Sequence, residues 1–175
     1  ISSDRIIGNL TINTGGTLNA VSGTFALTGN MSNSGTVNMA DGDTGDKVTV
    51  SGNFSGSGAI KIDVDTKANT SDQLAIAGNS SGTTKLAFTN LTPGKETGVT
   101  ITDVVTVAGT SSATDFSGSM LTGIYTYNLQ YDAGDFNLVV TDTTIANGST
   151  ISSDRIIGNL TINTGGTLDA VSGIF

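Results

Sequence analysis

The sequence predicts an all-β solenoid, on three observations. Short runs of alternating apolar residues recur along the chain, each closed by Gly, Asn, Ser or Asp. Helix formers are scarce, Glu96 being the only glutamate, and no window places apolar residues at helical spacing for three turns. Aromatics make up 5% of the residues, so the inward positions fall to Leu, Ile, Val and Ala. Small aliphatics suit a thin tube in which like residues stack coil upon coil, whereas a β-sandwich, the alternative, calls for hairpins of two to five residues and a larger aromatic core. Gly-Gly and Gly-Asn turns supply the positive φ that sharp corners need.

The strands are read in order as Asn9–Ile12, Thr17–Val21, Thr24–Leu27, Thr36–Met39, Lys47–Val50, Ala59–Val64, Gln73–Ile76, Lys85–Phe88 and Thr100–Thr102. Alternation within each puts one face in a core and one in solvent. Towards the end of the chain Tyr125, Tyr127, Leu129 and Tyr131 alternate with polar residues. Asp132-Ala133-Gly134 then turns the chain and Phe136–Val140 runs back, which predicts a hairpin over about 124–140. All three tyrosines lie in it. The open end of a solenoid exposes unpaired backbone and an apolar bore, and broad rings suit its covering. A tyrosine-lined sugar platform is the alternative use of these rings.

An internal repeat sets the domain organisation. Residues 1–25 recur as residues 151–175, with 23 of 25 positions identical at an offset of 150. Only Asn19/Asp169 and Thr24/Ile174 differ, and polar positions match as faithfully as apolar ones. We therefore read 1–150 as one complete unit and 151–175 as the start of the next. The unit divides into coils over about 8–120, the capping hairpin and a connection over 143–150. Coils of twenty-odd residues would give about seven turns, adding roughly 34 Å at about 4.8 Å per turn. Arg5, beside Asp4, is a candidate tie between units. The chain opens at Ile1 with no targeting signal, so we expect it to be a segment of a longer protein.

Composition excludes several functions. With no His and no Cys there is no Ser-His-Asp triad, thiol nucleophile, His/Cys metal cage or disulfide framework. A net charge of −8 argues against nucleic acid and anionic lipid as partners. The acidic loop Asp41-Gly42-Asp43-Thr44-Gly45-Asp46 places oxygen ligands as a calcium site could, but Asp and Gly also build turns without metal. Asp63, Asp65 and Asp72 form a second cluster with the same two readings. Glycan hydrolysis needs two carboxylates facing one cleft, and the only arginines, Arg5 and Arg155, are one repeat position counted twice. We expect no catalytic, metal or cofactor residues and no cofactor.

Three stretches in this order resemble the C-terminal part of autotransporter passenger domains, the pertactin-like right-handed parallel β-helices of Gram-negative bacteria. They are GNLTINTGGTLNAVSGTFALTGNMSNSGTVNM from Gly8, GDKVTVSGNFSGSGAIKIDVDTKANTSDQLAIAG from Gly45, and LTGIYTYNLQYDAGDFNLVVTD from Leu121. The return strand Asp135–Val140 lacks the Trp usual in that family, and a new repeat follows where a barrel is usual. The resemblance implies type V export to the cell surface and a rigid, non-catalytic adhesin rod displaying binding loops. The implied partners are a host or neighbouring-cell surface protein or glycan, and adjacent copies of the repeat. No membrane insertion by this segment is expected. A purely structural spacer and a glycan-degrading enzyme are the competing readings.

Overall fold

The computed structural model describes residues 5–146, 148, 150–151 and 158–169. The remainder, including Asp4 of the expected Asp4–Arg5 tie between units, lie outside the described residues. Each turn of chain contributes one short strand to each of three parallel sheets. The first sheet stacks Arg5–Ile6, Thr24–Leu27, Lys47–Val50, Gln73–Ile76 and Ile101–Val107. The second stacks Leu10–Ile12, Met31–Asn33, Phe54–Gly56 and Ser80–Gly82. The third stacks Thr17–Asn19, Thr36–Asn38, Ala59–Asp65, Thr84–Asn90 and Phe116–Ser117. No helix occurs among the described residues. The chain is a three-sided parallel β-helix.

Register explains the core. Phe25, Val48, Leu74 and Val105 lie directly above one another, as do Leu27, Val50, Ile76 and Val107, and all are buried. On the third sheet Leu18, Val37, Ile60 and Leu86 form another ladder. Alternate residues point outward, so each strand of three or four residues gives the bore one or two side chains. Burial of each such aliphatic contributes about 1.5–3 kcal/mol. Asn33 is one of several buried polar residues, its Nδ2 donating to the Ala59 carbonyl at 3.2 Å and its Oδ1 accepting from Gly35 N at 3.1 Å.

Four full turns separate the five rungs of the first sheet, fewer than the seven expected over the unit. Coils lengthen from 21 to 23, 26 and 31 residues, as the pairs Arg5↔Ala26, Ala26↔Thr49, Thr49↔Ala75 and Ala75↔Thr106 show. Part of the growth is in the strands, those of the third sheet lengthening from three residues in Thr17–Asn19 and Thr36–Asn38 to seven in Ala59–Asp65 and Thr84–Asn90. Part is in loops, where added residues cost little closure entropy. The cap takes more chain as well. The expected hairpin is part of an antiparallel meander, Ser119–Thr122, Tyr125–Asp132 and Asp135–Ile145.

The return strand Asp135–Ile145 has two roles. Its first part runs antiparallel on the last rung, Thr106↔Asp135, Val105↔Phe136 and Ile101↔Leu138, and ends the parallel stacking. Its last part, inside the segment expected to be a connection, pairs in parallel with Asn159–Ile162. Thr150–Ile151 pairs likewise with Thr167–Leu168. The second copy of the repeat thus starts a new coil on the cap of the first.

Candidate functional site

One corner of the helix carries a ladder of asparagines. Asn9 Oδ1 accepts from Asn30 N at 2.9 Å, Asn30 Oδ1 from Asn53 N at 2.8 Å, and Asn53 Oδ1 from Asn79 N at 2.9 Å. Asn79 Oδ1 then accepts from Thr110 N at 2.8 Å. Each side chain satisfies an amide that the corner would leave unpaired. Beside it runs a column of glycines, Gly8, Gly29, Gly52, Gly78 and Gly109. A Cβ on any but the first would strike the backbone of the glycine below. The next face of the coil turns Thr11, Ser32, Ser55 and Ser81 outward in register, all exposed. Asparagine corner and hydroxyl strip together line an open, uncharged groove of about 500 Å³.

The two acidic clusters of the sequence are joined differently from the way they read. Asp46, Asp63 and Asp72 form one buried node, while Asp41, Asp43 and Asp65 remain outside it. Asp72 accepts from Asp46 N at 3.1 Å and from Asp63 N at 2.7 Å. Asp63 Oδ2 accepts from Asp41 N at 2.8 Å and Gly42 N at 2.6 Å, and Asp46 Oδ1 from Gly23 N at 2.7 Å. Asp46 Oδ2 is buried with no hydrogen-bond partner. Burial pushes the Asp72 carboxyl up to about 7, against the backbone donors of Asp63 and Asp46, which pull it down. Burial likewise raises Asp46, helped by the charges of Asp41, Asp43 and Asp63. Asp65 moves the other way, lowered by the amide of Ala68 and the hydroxyl of Thr92.

These carboxylates hold loops rather than converge on an ion. Asp41 Oδ1 accepts from Asp43 N at 3.1 Å and Asp43 Oδ1 from Thr44 N at 2.7 Å, local contacts that build the turn. Among the described residues no group of three or more acidic side chains is placed to hold a metal. Glu96 Oε1 accepts from Gly94 N at 2.9 Å and also from Thr122 Oγ1 and Asn90 Nδ2. It therefore pins the loop before Ile101 to the cap, a role its sequence context did not signal.

The tyrosines do not form a platform. Tyr125 and Tyr127 are buried, and only Tyr131 is substantially exposed, at 38%, its hydroxyl donating to the Ser111 carbonyl at 3.3 Å. Closure of the bore falls as much to phenylalanine. Phe54, Phe116, Phe136 and Tyr131 make a continuous stack with ring centroids 5.4, 5.0 and 5.1 Å apart. Phe136 lies in the hairpin expected to form the cap, whereas Phe116 falls among the residues expected to be coils, and no local pattern links it to the tyrosines.

What these features define is a β-helical segment with a strip of small polar groups on one outer face and a buried node of Asp46, Asp63 and Asp72 bound to backbone amides. Sequence relationships agree with that class. The sequence profile of the Pertactin family matches residues 28–140, and the chain belongs to that family. It is 31% identical over 125 residues to the probable autotransporter YfaL of Escherichia coli (strain K12), covering 64% of this chain and 10% of that protein. It is 29% identical over 114 residues to the uncharacterized protein YuaQ of the same strain, covering 62% of this chain and 8% of that protein. The chain thus spans about a tenth of the length of these relatives. It is a pertactin-like passenger β-helix segment.

Proposed function

We propose that the chain is a repeat module of a cell-surface autotransporter adhesin of a Gram-negative bacterium, a stiff rod that holds binding surfaces away from the cell. The observation that carries the reading is the restart of the coil at Asn159–Ile162 on the cap of the first unit, within a chain of the Pertactin family. Multiplied units lengthen a rod and multiply weak contacts, and avidity grows with their number. The candidate contact surface is the groove of Asn9, Asn30, Asn53 and the hydroxyl strip, whose uncharged donors and acceptors suit a glycan or a polar protein surface. A non-catalytic role is favoured by the buried carboxylates of Asp46, Asp63 and Asp72, each of which accepts hydrogen bonds from backbone amides.

The test is adhesion of cells displaying the parent protein with units deleted or added. Binding strength that falls steeply with each lost unit supports an adhesin. Unchanged binding per molecule with only a change of reach makes the module a spacer. Turnover of a polysaccharide, abolished by an Asp substitution, would replace both readings with an enzyme.

A further inference from the structure

We infer that the N-terminal edge of the helix, Asn9–Ile12 with Thr17–Leu18, is a docking surface for a second copy of the same repeat unit. That copy seats there the parallel half of its return strand, Asp142–Ile145, together with Thr150, so successive units join end to end through the cap. The inference deepens the rod reading above and rests on it.

The chain displays one half of this junction. Asn159–Ile162 lies on Asp142–Ile145 in the register Asp142↔Asn159, Thr143↔Leu160, Thr144↔Thr161 and Ile145↔Ile162. Thr167–Leu168 lies on Thr150–Ile151. Residues 159–162 and 167–168 repeat 9–12 and 17–18 letter for letter. At the N-terminal edge those same residues form the last strands of their sheets, with an unpaired outer side among the described residues. A row of unpaired N–H and C=O groups is a template for another strand.

Side chains at the displayed half are specific to it. Asn159 Nδ2 donates to Asp142 Oδ1 at 3.3 Å, a side-chain bond between residues in register, where the corner ladder instead joins side-chain oxygens to backbone amides. Asn9 is the same residue, with no described residue in register in front of it. The glycines agree. A Cβ on Gly158 would strike the Thr141 carbonyl, and one on Gly166 would meet the Ala146 carbonyl at 2.9 Å. At Gly8, the counterpart of Gly158, nothing lies within 4 Å. No described residue fills at Gly8 the space that Thr141 fills at Gly158. The return strand is therefore a relay: its antiparallel half closes one helix and its parallel half starts the next.

The test compares the 175-residue chain with a chain carrying the 150-residue unit twice before the final 25 residues. Small-angle scattering of the longer chain is expected to show one elongated body whose greatest dimension is longer by roughly 20 Å or more, the four coil spacings of about 4.8 Å within a unit. Thr161 is exposed, so Thr161→Pro removes a strand amide at the junction without opening a core. It is expected to convert the rod into two hinged bodies. Asn159→Ala, which spares the backbone, is expected to speed amide exchange at Leu160 and Asn163 several-fold. Two independently moving bodies in the unsubstituted chain would overturn the inference, as would a rod indifferent to Thr161→Pro. Either result together with unit-dependent adhesion would sink the junction alone and leave the adhesin reading standing.

Discussion

Asp72 shows how one residue couples the fold to pH. Its carboxyl titrates near 7 in the folded chain and near 3.8 when exposed. Between those values the folded state holds more protons than the unfolded state, so stability falls as pH rises through the window and is regained on acidification. Asp46 acts in the same direction. Asp65, with its lowered pKa, contributes stability that is lost only below the ordinary carboxylate range. The melting temperature is therefore expected to rise as pH is lowered from 7.5 to 5 and to fall again below about 4. Asp72→Asn should flatten the rise and cost about 1–3 kcal/mol, because an amide nitrogen then faces a buried backbone N–H. Thermal melts across pH check both outcomes. The corner ladder is a milder case. Asn53→Ala leaves the Asn79 amide without its acceptor at an exposed corner, and urea titration should show a loss of about 0.5–1.5 kcal/mol.

Single strands here are too short to persist alone, so their stability lies in what stacks on them. Gly52 shows how closely the rungs pack: its Cβ would meet the Gly29 backbone at 2.8 Å. Gly52→Ala must therefore spread two coils, and the chain should unfold at lower urea than the Asn53→Ala variant. The cap depends on rings. Phe116 lies between Phe54 and Phe136 and is 2% exposed. Phe116→Ala should cost about 3–5 kcal/mol, with hydrogen exchange accelerated first in Ser119–Thr122 and Tyr125–Asp132. Strands of the first and third sheets were legible in the sequence because alternation with period two survives in short runs. Met31–Asn33, Phe54–Gly56 and Ser80–Gly82 of the second sheet were not, since their Ser, Asn and Gly residues read as turns. The buried node was not legible either. Asp46 and Asp72 meet because their coil spans 26 residues, and no spacing rule announces a coil length that changes at every turn. The asparagine ladder hid for the same reason, its members lying 21, 23 and 26 residues apart.

At the scale of the whole molecule the solenoid, the aromatic closure and the duplication were all readable from residues. The number of turns was not, since strands and loops both lengthen from coil to coil, up to the 31 residues between Ala75 and Thr106. Nor was the second role of Asp135–Ile145, because its pairing with Asn159–Ile162 joins residues that no local pattern links. The central claim is parallel stacking of successive coils along one axis, and backbone nuclear Overhauser contacts test it most directly. Parallel rungs predict contacts between amide and Hα protons linking Ala26, Thr49, Ala75 and Thr106, with short Hα–Hα contacts confined to antiparallel pairs such as Tyr125–Asp132 with Asp135–Ile145. Strong Hα–Hα contacts between Thr24–Leu27 and Lys47–Val50 would contradict the account.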